Sequence, residues 1–340
     1  MRWMRCSPVE MDWSEIDWSA LQRLREAFLK GAAGAADYWQ NESDLAGYDC
    51  TFAQRIGWKW DHVLAELARR GWSPPEGPML DWGCGSGVAG RAFLDHFGAD
   101  IIGEIRLWDR SMLAVDYAAK RAREKYPRLK VKTQTQRADS ESGEAPAILL
   151  ISHVLTELTP EQAQSLADFA AEATTVLWVE PGTYEASLTL IAIRERLRER
   201  FNVVSPCTHG GQCGILVPEN ERHWCHHFAS PPPEIFTDPG WARFANETGI
   251  DLRDLPLSYL VLDKRPAPAL PPDAVRVIGH PRIYKAHALL LGCDADGVCD
   301  RRLMKRNDPE FFRLLKKGGC PGLQIWRRDG DEIVNSRALE

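Results

Sequence analysis

The chain has 340 residues, 44% hydrophobic and 26% charged, with a net charge of -6. This composition excludes wholesale disorder, and apolar runs no longer than those at 147–151 and 288–291 exclude a membrane span, which needs about 20 residues. The mild acidity excludes nucleic-acid binding through the whole surface and confines it to a local patch. Thirteen Trp invite packing or stacking roles, and nine Cys without a signal peptide imply reduced thiols or metal ligands. The opening Met1-Arg2-Trp3-Met4-Arg5-Cys6 has no apolar run of the secretory kind, so the expectation is a cytoplasmic monomer away from membranes.

Residues 14–72 read as helix, with Leu21, Leu24, Ala27 and Phe28, then Trp60, Val63, Leu64 and Leu67, at the helical period. Gly71-Trp72-Ser73-Pro74-Pro75 ends that region. From 78 to 205 short apolar runs at 79–82, 105–108, 131–134, 147–152, 175–179 and 202–205 alternate with helical patterns at 88–97, 112–125, 160–172 and 184–201. Such alternation predicts a parallel, doubly wound α/β sheet. A Cys-, Gly- and Pro-rich interruption covers 206–235, then a helix is expected at 236–248 and a strand at 258–262. The linker Pro266-Ala267-Pro268-Ala269-Leu270-Pro271-Pro272 precedes short strands at 275–278, 283–291 and 298–304, with turns at His280-Pro281 and Asp296-Gly297. The expected organisation is a helical cap over 1–75, a sheet domain over 76–265 carrying the 206–235 insertion, and a small β-rich unit over 273–330.

The strongest local motif is Leu80-Asp81-Trp82-Gly83-Cys84-Gly85-Ser86-Gly87, placed after a strand and opening a helix. Glycines there permit a tight turn and close approach of backbone to ligand, with helix N-terminal N–H groups available. Asp109 follows at the end of the next strand, 22 residues past Gly87, where a carboxylate can accept from ribose hydroxyls. The D-x-G-x-G-x-G pattern of Asp81, Gly83, Gly85 and Gly87 resembles the first motif of S-adenosylmethionine methyltransferases. Asp109-Arg110-Ser111-Met112-Leu113 resembles their second, which adds Met112 to the cofactor-binding set. The fourth strand leads into Ser152-His153-Val154-Leu155-Thr156-Glu157-Leu158, the loop that faces the methyl group in such enzymes. His153 and Glu157 are the candidate general bases there, against a plain loop-orienting role for both. Glu180-Pro181-Gly182 reads as a further loop-former near the pocket.

A second constellation is Cys207-x5-Cys213-x11-Cys225, with Cys293 further on in Gly292-Cys293-Asp294. Thiolates on permissive loops can close around a metal, but this spacing fits neither the short pairs of common zinc modules nor ferredoxins. His209, His223, His226 and His227 keep zinc open beside an iron–sulfur cluster.

Taken together, the glycine motif, Ser152-His153-Val154-Leu155-Thr156-Glu157-Leu158, Val179-Glu180-Pro181-Gly182-Thr183, Pro206-Cys207-Thr208-His209 with Cys213, Trp224-Cys225-His226-His227-Phe228 and Cys293 resemble a known family. It is the methyltransferase-like family of small-ribosomal-subunit assembly factors, known from mitochondria and with bacterial members, over roughly 45–330. The resemblance implies a Rossmann-like S-adenosylmethionine-dependent methyltransferase fold and a partner in the small ribosomal subunit or its rRNA. It also implies a structural 4Fe-4S cluster held by Cys207, Cys213, Cys225 and Cys293, with Cys299 and Cys320 as competitors for the fourth place. Two other functions stand beside methyl transfer to rRNA: a non-catalytic assembly factor that binds RNA, and a small-molecule methyltransferase with a zinc site.

An RNA partner needs phosphate contacts. Residues 301–317 carry seven basic side chains against Asp308 and Glu310, extended by Arg327 and Arg328. Phe311, Phe312 and Trp326 lie among them, as stacking candidates or as core. The helical Arg194, Arg196, Arg198 and Arg200 alternate with Glu195 and Glu199, which reads as a solvated face.

Overall fold

A computed structural model describes residues 12–30, 38–134 and 145–339, and the Met1–Cys6 stretch lies outside them. Along the chain run α1 (Trp18–Lys30), α2 (Glu42–Cys50), α3 (Phe52–Arg69), β1 (Met79–Trp82), α4 (Val88–Phe97), β2 (Glu104–Trp108), α5 (Met112–Lys125), β3 (Lys130–Gln134), β4 (Ile148–Ser152), α6 (Pro160–Ala170), β5 (Thr175–Pro181), α7 (Tyr184–Leu197) and β6 (Asn202–Ser205). There follow β7 (His227–Ala229), α8 (Pro239–Thr248), β8 (Leu255–Asp263), β9 (Ala274–Ile283), β10 (His287–Asp294), β11 (Gly297–Met304), α9 (Pro309–Lys316), β12 (Leu323–Asp329) and β13 (Glu332–Ala338). Contacts divide these elements into two units, one within 1–66, 73–180 and 228–255, the other within 67–72, 181–227 and 256–340. Among the described residues no helix is long and apolar enough to cross a membrane.

The first unit is built on parallel strands in the order β3-β2-β1-β4-β5. Every residue of β1 is buried, as are Ile148, Leu149, Leu150 and Ile151 of β4, as expected for strands covered on both faces. The helices begin where local chemistry allows. Asn41 accepts from the Asp44 N–H to cap α2, and α6 opens on a Thr159–Gln162 capping box with Pro160 in its first turn. The expected helix at 236–248 starts later, at Pro239, because Asp238 caps it and proline suits only its first turn. Several of the Trp are packing residues: Trp13 and Trp58 both lie against Trp241, and Trp82 against Trp108. Strand order reverses between β1 and β4, so the switch point of the sheet lies beyond their carboxyl ends, where open α/β sheets bind ligands.

In the second unit β6 pairs antiparallel with β8, and β9 to β13 close a barrel in the order β10-β11-β13-β12-β9. Only the β11–β13 pair is parallel, and α9 lies between β11 and β12. A five-stranded barrel with this Greek-key order is the OB-fold. Its core takes Val275, Val277, Ala288, Leu290, Leu303 and Ile333 from the strands and Phe311, Phe312 and Leu315 from α9. Phe311, Phe312 and Trp326 are thus core residues rather than stacking groups. The expected turn at His280-Pro281 is corrected as well. Both residues lie inside β9, where the β9–β10 register shifts and Gly279 takes φ 66°, and the chain turns at 284–286.

Candidate functional site

The glycine loop follows β1 at the switch point. Gly83, Gly85 and Gly87 have φ of 68°, 51° and 81°, the left-handed region that glycine enters without strain. A Cβ on Gly83 would stand 2.7 Å from Val154 Cγ1, whereas one on Gly85 would meet nothing within 4 Å. Gly85→Ala is therefore expected to cost about 1–2 kcal/mol, the penalty of the left-handed backbone. Gly83→Ala should cost more, because it adds a clash to the same penalty, and urea denaturation of the pair checks the order.

Two predicted acidic residues organise this loop. Asp81 is fully buried, and its Oδ2 accepts from the Gly90 N–H in the first turn of α4 at 3.0 Å. Burial pushes its carboxyl up to about 7. Asp109, after β2, accepts from the Gly85 N–H at 2.9 Å and the Ser111 N–H at 3.0 Å, so it ties the glycine loop to the entry of α5. Met112 begins α5 with its side chain 41% exposed.

His153 follows β4 with φ 56°, the only non-glycine residue with positive φ among the described residues. Backbone strain of this kind persists only where surroundings enforce it. The His153 N–H donates to the Val179 carbonyl at 2.8 Å, and its ring lies between Lys59 Nζ at 3.2 Å and Ser152 Oγ at 3.4 Å. Burial, and then the Lys59 charge, hold this imidazole well below its usual range. Burial likewise brings Lys59 down to about 7. Glu157 turns to other partners, Arg110 at 3.2 Å and the Tyr38 hydroxyl at 3.2 Å. Its carboxyl is raised by burial against the pull of Arg110 and Tyr38. The two candidate bases thus share a loop but not a hydrogen-bonding network.

The loop itself hangs from Glu180. This buried carboxylate accepts from the Trp178 indole at 2.7 Å and from the backbone N–H groups of Val154 and Leu155 at 3.1 and 3.2 Å. Burial pushes it up to about 7. Lys59 escaped the sequence reading, although the signal was present: a Lys between Trp58 and Trp60, four residues before the buried Val63.

In the second unit the structure brings Cys207, Cys213, Cys225 and Cys293 into one another's fields. Cys213 and Cys293 share an apolar cluster with Ile191, Ile215, Ile278 and Val298, and Cys225 packs against it. Burial first, then the charges of Cys207, Cys225 and Cys213, push the Cys293 thiol well up. Cys213 is pushed up to about 11, mainly by burial. The competitors lie elsewhere: Cys299 is opposite Gly292 in the β10–β11 ladder, and Cys320 packs on the barrel core.

Positive charge surrounds the cysteines. Arg194, only 3% exposed, donates from Nε to Cys207 Sγ at 3.3 Å and from its other end to the His209 carbonyl at 3.1 Å. This corrects the solvated-face reading of the α7 arginines, since the first of them points inward. Arg70 donates to the carbonyls of Val204, Pro206 and Cys207, and Arg276 to that of Pro206 at 2.9 Å. His209 Nε2 stands 3.8 Å from Cys293 Sγ, and His227 Nε2 3.6 Å from Cys225 Sγ. Among the described residues no three or more His, Cys, Asp or Glu side chains close around a single metal ion. Of the four thiols Cys213 and Cys293 are buried and Cys207 and Cys225 partly buried, a donor set that fits either a tetrathiolate zinc or an iron–sulfur cluster.

The strand order, the glycine loop after β1 and the acidic residue after β2 define a Rossmann-like, methyltransferase-like domain. The family model described as "Mitochondrial small ribosomal subunit Rsm22" matches residues 60–319, and the chain belongs to that family. Among solved structures, magnesium protoporphyrin IX methyltransferase (ChlM) from Synechocystis PCC 6803 with bound SAH is 12% identical, with a TM-score of 0.40 over 73% of this chain and 94% of that one. The 16S rRNA methylase RmtB is 17% identical, with a TM-score of 0.36 over 56% and 70%. A SAM dependent methyltransferase from Aquifex aeolicus is 13% identical, with a TM-score of 0.37 over 51% and 94%. No curated protein matches the chain.

Proposed function

We propose that the chain binds S-adenosylmethionine at the glycine loop and acts on the small ribosomal subunit or its rRNA. The observation that carries this reading is a glycine loop at the switch point of a chain that belongs to a small-ribosomal-subunit family. Gly83, Gly85 and Gly87 present backbone to the cofactor, Asp81 supports the loop from below, and Asp109 and Met112 flank the ribose and base side. The cofactor supplies an electrophilic methyl group. The chain's own task is to hold the acceptor against it and accept a proton. His153 is the candidate for the second task, since it sits on the loop that meets the glycine loop through Val154, with Lys59 Nζ 3.2 Å from its Nε2.

Cys207, Cys213, Cys225 and Cys293 would hold a 4Fe-4S cluster with a structural role, tying the cysteine-bearing segment to the barrel. The packing of Cys213, Cys225 and Cys293 in one cluster and the Arg194 donor to Cys207 support a group held by these thiols, and the family resemblance makes it the 4Fe-4S cluster rather than zinc. The engagement of Glu157 by Arg110 and Tyr38 favours a second reading, a subunit-binding factor that retains the cofactor without transferring methyl.

Labelled methyl transfer to purified small subunits and to free rRNA separates the two. The first reading expects incorporation that falls at least tenfold in His153→Ala. Co-sedimentation with subunits and no incorporation would establish the second.

A further inference from the structure

The outer face of β10 and β11 is covered at one end and open at the other. Side chains alternate along β10, so Ala288 and Leu290 enter the barrel core while His287, Leu289, Leu291 and Cys293 face outward. Leu291 and Cys293, with Val298 on β11, are covered by the apolar cluster that includes Cys213 and Ile215. At the other end Leu289 lies between Arg282 on β9 and Arg302 on β11. Here the chain turns through Tyr284, Lys285 and Ala286, with Tyr284 48% exposed and its ring stacked on His287 at 4.7 Å and 14°. The Lys305 N–H donates to the Ala286 carbonyl at 3.0 Å and fixes this turn beside β11. Arg282, Lys285, Arg302 and Lys305 are all exposed, and among the described residues only Arg282 of the four is in an ion pair, with Asp300.

In an OB barrel this face and the loop between its first two strands can take an oligonucleotide. Single strands bind such surfaces by stacking bases on aromatic rings and laying phosphates along basic side chains. A duplex keeps its base faces stacked and offers none to Tyr284. We infer that the open end binds single-stranded RNA, with a base on Tyr284 and neighbouring phosphates on Lys285, Arg302 and Lys305. The choice of RNA rests on the ribosomal reading above. Within the 301–328 stretch Arg301 is paired with Asp331 and Arg328 with Asp294, and the part of it used here is Arg302 and Lys305 beside the β9–β10 turn.

Fluorescence anisotropy of the full chain with a labelled single-stranded oligoribonucleotide, the same sequence as duplex, and an acidic peptide tests the inference. Single strand should bind at least tenfold tighter than duplex, Tyr284→Ala should weaken it about tenfold, and Tyr284→Phe should bind as the parent does. Lys285→Gln with Lys305→Gln should flatten the slope of log affinity against log salt by about 1.4, the effect of two lost phosphate contacts. Unchanged binding in Tyr284→Ala, equal affinity for duplex, or equal affinity for the acidic peptide would overturn the inference, and the last would make the patch a protein-docking surface. Co-sedimentation with small subunits separates this result from the broader reading. A parent chain that sediments with subunits while Tyr284→Ala binds the oligonucleotide unchanged defeats the inference alone. A parent chain that ignores subunits yet shows Tyr284-dependent RNA binding defeats the ribosomal reading alone.

Discussion

Glu180→Leu is expected to be among the most damaging single changes in the first unit. Its carboxylate accepts from the Trp178 indole and from the Val154 and Leu155 N–H groups. Leucine leaves all three donors buried without an acceptor, at about 1–3 kcal/mol each, so a loss of roughly 3–9 kcal/mol is expected. S-adenosylmethionine binding should go with it, because Val154 packs against Gly83 and the 153–158 loop borders the cofactor loop. Glu180→Gln keeps an acceptor at the same place and should retain most of both. Urea denaturation and calorimetric titration read the two effects, and a Leu variant as stable as the parent would remove the anchoring role.

The same carboxylate makes stability depend on pH. Glu180 rises from 4.5 and Asp81 from 3.8, both to about 7, through burial. Between about pH 4 and pH 7 the folded chain therefore holds protons that the unfolded chain has released. Stability falls with rising pH across that window and this contribution levels off above it. Lys59 works in the opposite sense: lowered from 10.5 to about 7, it makes stability rise with pH between those values. Urea midpoints of Asp81→Asn measured against those of the parent should show the difference, with the variant lacking the part of the fall that Asp81 contributes between about pH 4 and pH 7.

On the proposed cluster assignment, anaerobically purified protein holds iron and absorbs in the visible, and Cys293→Ser is expected to lose both. The melting temperature should fall by more than about 10 °C, since metal-site binding energy is also folding energy. Cys299→Ser and Cys320→Ser should keep iron and colour, because neither thiol lies with Cys207, Cys213 and Cys225. A colourless parent holding stoichiometric zinc would reject the cluster, and iron retained in Cys293→Ser would reject the fourth ligand. Arg194→Met should lower iron content less severely, as it removes a donor to Cys207 Sγ and no ligand.

What could be read along the chain is what depends on near neighbours in sequence. The glycine loop, Asp81 under it and Asp109 22 residues beyond it are legible because strand, turn and helix entry are contiguous. Alternating apolar runs announced the parallel sheet, and motif order announced the family. Three cysteines competed in sequence for a place beside Cys207, Cys213 and Cys225, and the fold packs Cys293 with Cys213 and Cys225 while Cys299 lies opposite Gly292. Arg194 looked like one more exposed charge on a helix until α7 turned it toward Cys207. The basic run after 300 looked like a single patch, but ion pairs across the barrel occupy Arg301 and Arg328. Tyr284 was hidden because a register shift moved the turn from His280-Pro281 to the residues after Ile283. In each case the deciding contact joins residues far apart in sequence or strands whose pairing no local pattern specifies. Composition and motif therefore determined the class of the domain and the place of its glycine loop. Tertiary structure alone decided which buried charges hold the loops and which side chains of the barrel face outward.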